Sequence, residues 1–234
     1  MFRFNWKLTL FTVLLLPLMI SLGFWQLDRE QQKIEMQERY ERRSLEPAVA
    51  LQTVNWHDPE ADLGWMRIEA TGYFVPERQF LLDNRVHESR VGYEVLSLFA
   101  TDFGTLVVNR GWVPQGPTRQ QLPAIPVSAE RQTIAATIYV PDGEVMLLAS
   151  DNPDPDNWPI VVQRLDMEQI AQLSGHTLLP WSVRLEPGTP AVLAPNWQAI
   201  NMKPEMHRGY AVQWFSMAAV LALLYLLFSF RRSE

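Results

Sequence analysis

The sequence predicts a membrane protein of the α+β class. Two transmembrane helices flank a β-rich, antiparallel extracytoplasmic domain that carries at least one short helix. Three observations predict it. Two long blocks carry no charge, one near each end: 20 residues from Leu8 to Leu27 and 22 from Gly209 to Phe230. Between them, short stretches alternate apolar with polar residues and are separated by turn-forming residues. One later stretch has helical spacing instead, with a capping residue at each end. Averaging hides this division, since 20% charged residues and a mean hydropathy of −0.09 over 234 residues would suit an ordinary soluble chain.

At about 1.5 Å rise per residue, each uncharged block spans roughly 30 Å, the thickness of a bilayer's hydrocarbon. Pro17 falls inside the first, where membrane helices tolerate it. Trp6, Trp25 and Trp214 stand near block ends, where amphipathic rings favour the headgroup zone. The first block also has the outline of a secretory signal, with Ser21-Leu22-Gly23 as a cleavage site. It is long for a signal core, and Phe24-Trp25 would be an odd start to a mature chain, so it reads as a retained anchor.

Orientation follows from the tails. Residues 1–7 carry Arg3 and Lys7, and residues 231–234 carry Arg231 and Arg232. Positive tails stay on the cytoplasmic or mitochondrial matrix side. Residues 28–208, with 16 Lys/Arg against 25 Asp/Glu and so a net charge of −9, are then placed on the opposite side of the membrane. The acidic balance argues against a nucleic-acid partner, which would need a basic face. Such short tails leave no room for a cytoplasmic signalling output, and two helices are too few for a transporter core.

Within the outer domain, residues 28–43 continue the first helix as a charged juxtamembrane segment. Ser44-Leu45-Glu46-Pro47 stops it, because the residue before proline is pushed out of the helical region. From Trp65, Met66, Ile68 and Ala70 alternate with Arg67, Glu69 and Thr71, the pattern of a half-buried strand that Pro76 follows. Further strands are predicted at Gln79 to Asp83, Val91 to Phe99, Thr105 to Val108, Arg131 to Val140, Glu144 to Ala149 and Pro180 to Glu186. Asp102-Phe103-Gly104 and Pro141-Asp142-Gly143 supply turns, and Gln115 to Pro126 reads as a loop. The soluble helix starts at Asp166 as N-cap, with Gln169 at the third helical position, and ends at Gly175. Ile170 and Leu173 form its inner face. Short strands at regular spacing suggest a sheet, a sandwich or a partly open barrel.

Familiar catalytic motifs are missing. There is no G-x-S-x-G elbow, phosphate-binding loop or dinucleotide fingerprint. His87-Glu88 begins like a zinc-protease motif, but Val91 stands where the second histidine belongs. Ser150 to Asn157 is acidic, yet Pro153 and Pro155 break the calcium-loop pattern. The absence of cysteine excludes disulfides, thiolate metal clusters and cysteine catalysis. His57, His87 and His176 read as solvated surface residues. His207 differs, because it stands just before the second uncharged block. On a helix, His207, Tyr210 and Trp214 share one face. A neutral imidazole there suits iron. From spacing alone an interfacial histidine capping the helix start is the plainer reading, and a copper(I) site shared with Met202 and Met206 is a third.

Four segments resemble one family, the surfeit locus protein 1 family of cytochrome c oxidase assembly factors. They are Gly23-Phe24-Trp25-Gln26-Leu27-Asp28-Arg29; Val108-Asn109-Arg110-Gly111-Trp112-Val113-Pro114; the stretch from Asn157-Trp158 through the Asp166 to Gly175 helix; and His207-Arg208-Gly209-Tyr210-Ala211-Val212-Gln213-Trp214-Phe215. The resemblance implies a chaperone-like, non-enzymatic part in maturing the haem-copper oxidase of the respiratory chain, by stabilising or handing over haem a. It implies the oxidase catalytic subunit, and the enzymes of haem a synthesis, as partners. It carries over His207 as the candidate ligand of the haem iron. Around it, Trp25 and Trp214 could flank a porphyrin, Tyr210 joins the binding face, and Gln26 could bond a formyl or hydroxyl group. Arg29, Arg110 or Arg208 could pair with propionates. The 108–114 segment also reads as architecture, a strand leaving through a glycine with Trp112 in the core. A structural scaffold that never touches haem, and a membrane-anchored periplasmic enzyme, are the rival functions.

Overall fold

The computed structural model describes residues 5–119, 121–141, 157–197 and 203–229. They form two compact units. One joins Met1–Glu41 to Gln198–Glu234, and the other is Arg42–Trp197. Residues 28–41, the charged juxtamembrane segment, fall in the unit of the two long helices.

Helix α1 runs Trp6–Leu45 and helix α3 runs Pro204–Ser229. Both are long and apolar enough to cross a membrane. Their large side chains face outward, as lipid contact requires: Leu14 is 63% exposed and Val212 60%. Asn5 caps α1, its side-chain oxygen accepting from the backbone N–H of Lys7 and Leu8. Arg42 and Arg43 in the last turn suit the negative end of the helix dipole, and Pro47 follows. Helix α3 opens on Pro204, whose missing N–H costs nothing at a first helical position, with Glu205 beside it. The helices pair antiparallel. Thr9 Oγ1 lies 3.1 Å from the Tyr225 hydroxyl near one end, and Phe24 packs edge-on against Phe215, 5.3 Å between ring centres, further along.

The second unit is built on one long strand. Strand β2 spans Arg67–His87, with β3 at Arg90–Thr101, β4 at Thr105–Pro114 and β5 at Gln132–Tyr139. Short strands β1 (Val49–Ala50), β6 (Ile160–Val162) and β7 (Ser182–Leu185) complete the sheet. The pairings β2–β3–β4–β7–β5–β2 close a five-stranded ring. Ile68, Ala70 and Phe74 of β2 and Ile134, Ala136 and Ile138 of β5 point into it, meeting Phe99, Leu106, Val108, Val183 and Leu185. The period-two pattern from Met66 to Thr71 therefore marks the barrel wall. On the outer side of β2–β4, Phe80, Leu96, Leu98 and Val107 pack under Ile160 and Ile170. That double burial explains why β3 is apolar on both faces. Helix α2, Met167–Ser174, supplies Ile170. The Asp166 side chain caps its start by accepting from Glu168 and Gln169, and Gly175 closes it at φ 72°.

Two features were not visible in the sequence pattern. Strand β2 does not stop at Pro76. Its register slips between Phe74 and Gln79, so the proline sits in an irregularity where its missing N–H breaks no ladder. The sheet is also mixed: hairpin neighbours are antiparallel, but β1 and β6 run parallel to β2, and β7 parallel to β4. Strands of two to four residues carry too few positions for alternation to show. The strand expected at Glu144 to Ala149 lies outside the described residues.

Candidate functional site

His207 occupies the first turn of α3 and is half-buried. Its Nδ1 lies 2.8 Å from the side-chain oxygen of Gln26 on α1. An amide oxygen accepts, so Nδ1 carries the proton. The other ring nitrogen, Nε2, has no hydrogen-bond partner among the described residues. A neutral imidazole with one nitrogen tied and the other bare is the form that binds a metal.

The close pairing of the two helices depends on local chemistry. Gly23, Gln26 and Glu30 fall on one face of α1. Phe215 fills the space over Gly23, where an added Cβ would lie 2.5 Å from the ring. Arg208 Nη2 reaches Glu30 Oε1 at 2.6 Å, and the Glu30 side chain is only 8% exposed. Glu30, Glu38, Glu41, Glu205 and Arg208 line an acidic cleft that begins at this ion pair. Glu30 escaped the sequence reading, although its spacing of four from Gln26 matches the adjacent pair His207-Arg208.

The remaining expected residues divide. Tyr210 is 40% exposed and makes no hydrogen bond among the described residues, while Trp214 is half-buried. Trp25 is 49% exposed, with the Arg29 guanidinium 5.6 Å from its ring centre. Arg29 also donates to Gln32 at 2.9 Å. Gln26, expected to meet a ligand's formyl or hydroxyl group, instead meets His207. Met206 is 49% exposed, and Met202 lies outside the described residues. Two of the surface histidines have partners after all: His87 Nδ1 is 2.9 Å from Asn196 Oδ1, and His176 Nδ1 is 2.9 Å from the Ser174 carbonyl.

Arg110 cannot hold a propionate, because it is 2% exposed inside the β unit. Its Nε donates to the Ala191 carbonyl at 2.9 Å and its Nη2 to that of Pro126 at 3.2 Å. Burial pulls its pKa down to about 10. The motif is equally internal from Val108 to Trp112, while Val113 is half-buried and Pro114 exposed. Asn109 donates to Glu94 at 2.7 Å and accepts from the Gly111 N–H. Gly111 sits at φ 120°, and a Cβ there would lie 2.6 Å from the Ala194 carbonyl oxygen. That clearance lets the Trp112 N–H bond the same oxygen at 2.6 Å. Trp112 Nε1 donates to the Arg85 carbonyl. The motif therefore ties strand β4 to residues 191–194.

Comparison with protein families matches the SURF1 family over residues 13–219. The chain belongs to the SURF1 family. The matched span encloses all four segments of the resemblance, including Gln26, Glu30, His207 and Arg208. An uncharacterised SURF1-like protein of Mycobacterium tuberculosis is 32% identical over 201 residues, which cover 82% of this chain and 70% of the relative. A SURF1-like protein of Rickettsia felis is 22% identical, covering 95% of this chain and 96% of its own length. Human surfeit locus protein 1 is 23% identical over 91% of this chain and 75% of its own. Two helices long and apolar enough to cross a membrane, one before and one after the β-rich unit in sequence, make this SURF1-family chain a membrane-anchored protein.

Proposed function

We propose that this SURF1-family protein is an assembly factor for the haem-copper cytochrome c oxidase, holding or passing haem a as cargo while the catalytic subunit matures. The observation that carries the reading is the state of His207: Nδ1 tied to Gln26 and Nε2 without a partner among the described residues. His207 would hold the haem iron, with Trp25, Tyr210 and Trp214 offering ring surface and Arg29 a cation for a propionate. Their partial exposure suits a cargo that must leave again. Arg208 is already paired with Glu30 and so belongs to the support rather than to the cargo. The partners are the oxidase catalytic subunit and the enzymes of haem a synthesis. The setting is a bacterial inner membrane, with the β unit in the periplasm and both termini in the cytoplasm. The protein performs no bond-making step.

The test has two arms. Deleting the gene should sharply lower cytochrome oxidase activity and the haem a content of membranes; unchanged values overturn the assembly reading. Full-length protein isolated from cells that make haem a should carry its visible spectrum, and His207→Ala should lose it. A colourless wild type, or a variant that keeps its pigment, removes haem from the proposal. A scaffold that never touches haem would then stand, a reading favoured by the internal bonding of Asn109, Arg110 and Trp112.

A further inference from the structure

We propose that Gln26 is a positioning residue, whose side-chain oxygen locks His207 in the Nδ1–H tautomer and so presents Nε2 as the ligating nitrogen. The proposal deepens the haem reading and rests on it for its purpose, but the lock itself is a property of the chain alone.

The argument begins with imidazole. In water the free ring of histidine favours the proton on Nε2, which would leave the nitrogen nearer the backbone as the ligand. Something must reverse that preference for Nε2 to face a metal. An acceptor at 2.8 Å from Nδ1 does so, and the oxygen of a carboxamide is one that cannot also donate. A partner on the second ring nitrogen fixes both the tautomer and the ring plane, and such outer partners commonly matter tenfold or more to metal affinity.

A lock works only if its holder is itself held. Gln26 is bracketed on both sides along α1. One turn before it, Gly23 admits the Phe215 ring, which also packs edge-on against Phe24. One turn after it, Glu30 takes the Arg208 guanidinium, and Arg208 is the residue that follows His207. The two cross-helix pairs, Gln26–His207 and Glu30–Arg208, fix rotation and register where α3 begins. Gln26 is half-buried, so few waters compete for its oxygen.

The experiment uses full-length protein in detergent micelles, labelled with nitrogen-15 at histidine. Long-range proton–nitrogen correlation spectra read the tautomer of each ring, and His207→Ala assigns the signal. Wild type should show His207 with its proton on Nδ1. Gln26→Leu should move it to the Nε2–H form, and Gln26→Glu, which keeps an acceptor oxygen, should restore Nδ1–H. A wild-type ring protonated on Nε2, or a tautomer unchanged in Gln26→Leu, overturns the proposal whether or not that variant folds fully. Titration with hemin then separates the two readings. Gln26→Leu should bind at least about tenfold more weakly than wild type, and Gln26→Glu close to wild type. A wild type that shows the Nδ1–H ring yet takes up no hemin overturns the haem reading and leaves the lock standing.

Discussion

Arg110 shows how a charge inside a motif can be structural. Among the described residues no carboxylate pairs with it; it is neutralised in effect by two carbonyls and by the face of Phe74, 5.7 Å from its guanidinium carbon. Its Nη1 is buried without a hydrogen-bond partner among the described residues. Burying a guanidinium this way costs free energy, and the lowered pKa of about 10 expresses that cost. Removing the side chain still destabilises, because it orphans the Ala191 and Pro126 carbonyls and opens a cavity. Arg110→Met should cost about 2–4 kcal/mol in chemical unfolding. The sign of its pH dependence is fixed. The folded chain releases the proton from about 10 upward, while the unfolded chain keeps it to well above that value, as an ordinary guanidinium does. Over that interval the unfolded state binds more protons, so this group's contribution to stability rises with pH. The penalty of Arg110→Met relative to wild type should therefore widen between about pH 9 and 11; a constant difference would place the guanidinium in a solvated site.

At the scale of elements, legibility followed the range of the interaction. Helix α2 could be read because its signals are local: Asp166 and Gly175 bond residues within four positions. The walls of the barrel could be read from alternation. Strand β2 across Pro76 could not, because a register slip is decided by the partner strand, and β1 and β6 were too short to show a period. The His207 face on α3 was legible, but its decisive contact lies 181 positions away on α1, beyond any periodicity. The same separation hid Glu30. Its pairing with Arg208 makes a prediction of its own. In a double-mutant cycle with Glu30→Gln and Arg208→Gln, followed by thermal unfolding in micelles, the two changes should couple by about 1 kcal/mol. Arg208 is 66% exposed, which keeps the expected value modest. Glu30→Gln should also broaden the His207 signal by loosening the start of α3. Strict additivity would mean that the ion pair does not hold the helices in register.

For the whole molecule, the two units follow from two different solvents. The helices expose Leu, Val and Phe that only lipid would tolerate, while the β unit closes its sheet upon itself and gives water the charges. The basic tails predict which side of the bilayer receives that unit, and the sequence makes the question easy to ask. The chain has no cysteine, so one introduced thiol is the sole site for a maleimide. Gln172 is exposed on α2 in the β unit, and Ser233 belongs to the tail that carries Arg231 and Arg232. In intact spheroplasts, Gln172→Cys should react with a membrane-impermeant maleimide. Ser233→Cys should react only after the membrane is opened. The predicted asymmetry comes from the cost of moving Lys and Arg near a helix end across the membrane, against which a long acidic segment offers little resistance. The reverse labelling would put the β unit in the cytoplasm and move His207 to the opposite face of the membrane. Labelling of both sites in intact spheroplasts would mean that α1 and α3 do not both cross, and the haem reading would lose its site at the outer boundary.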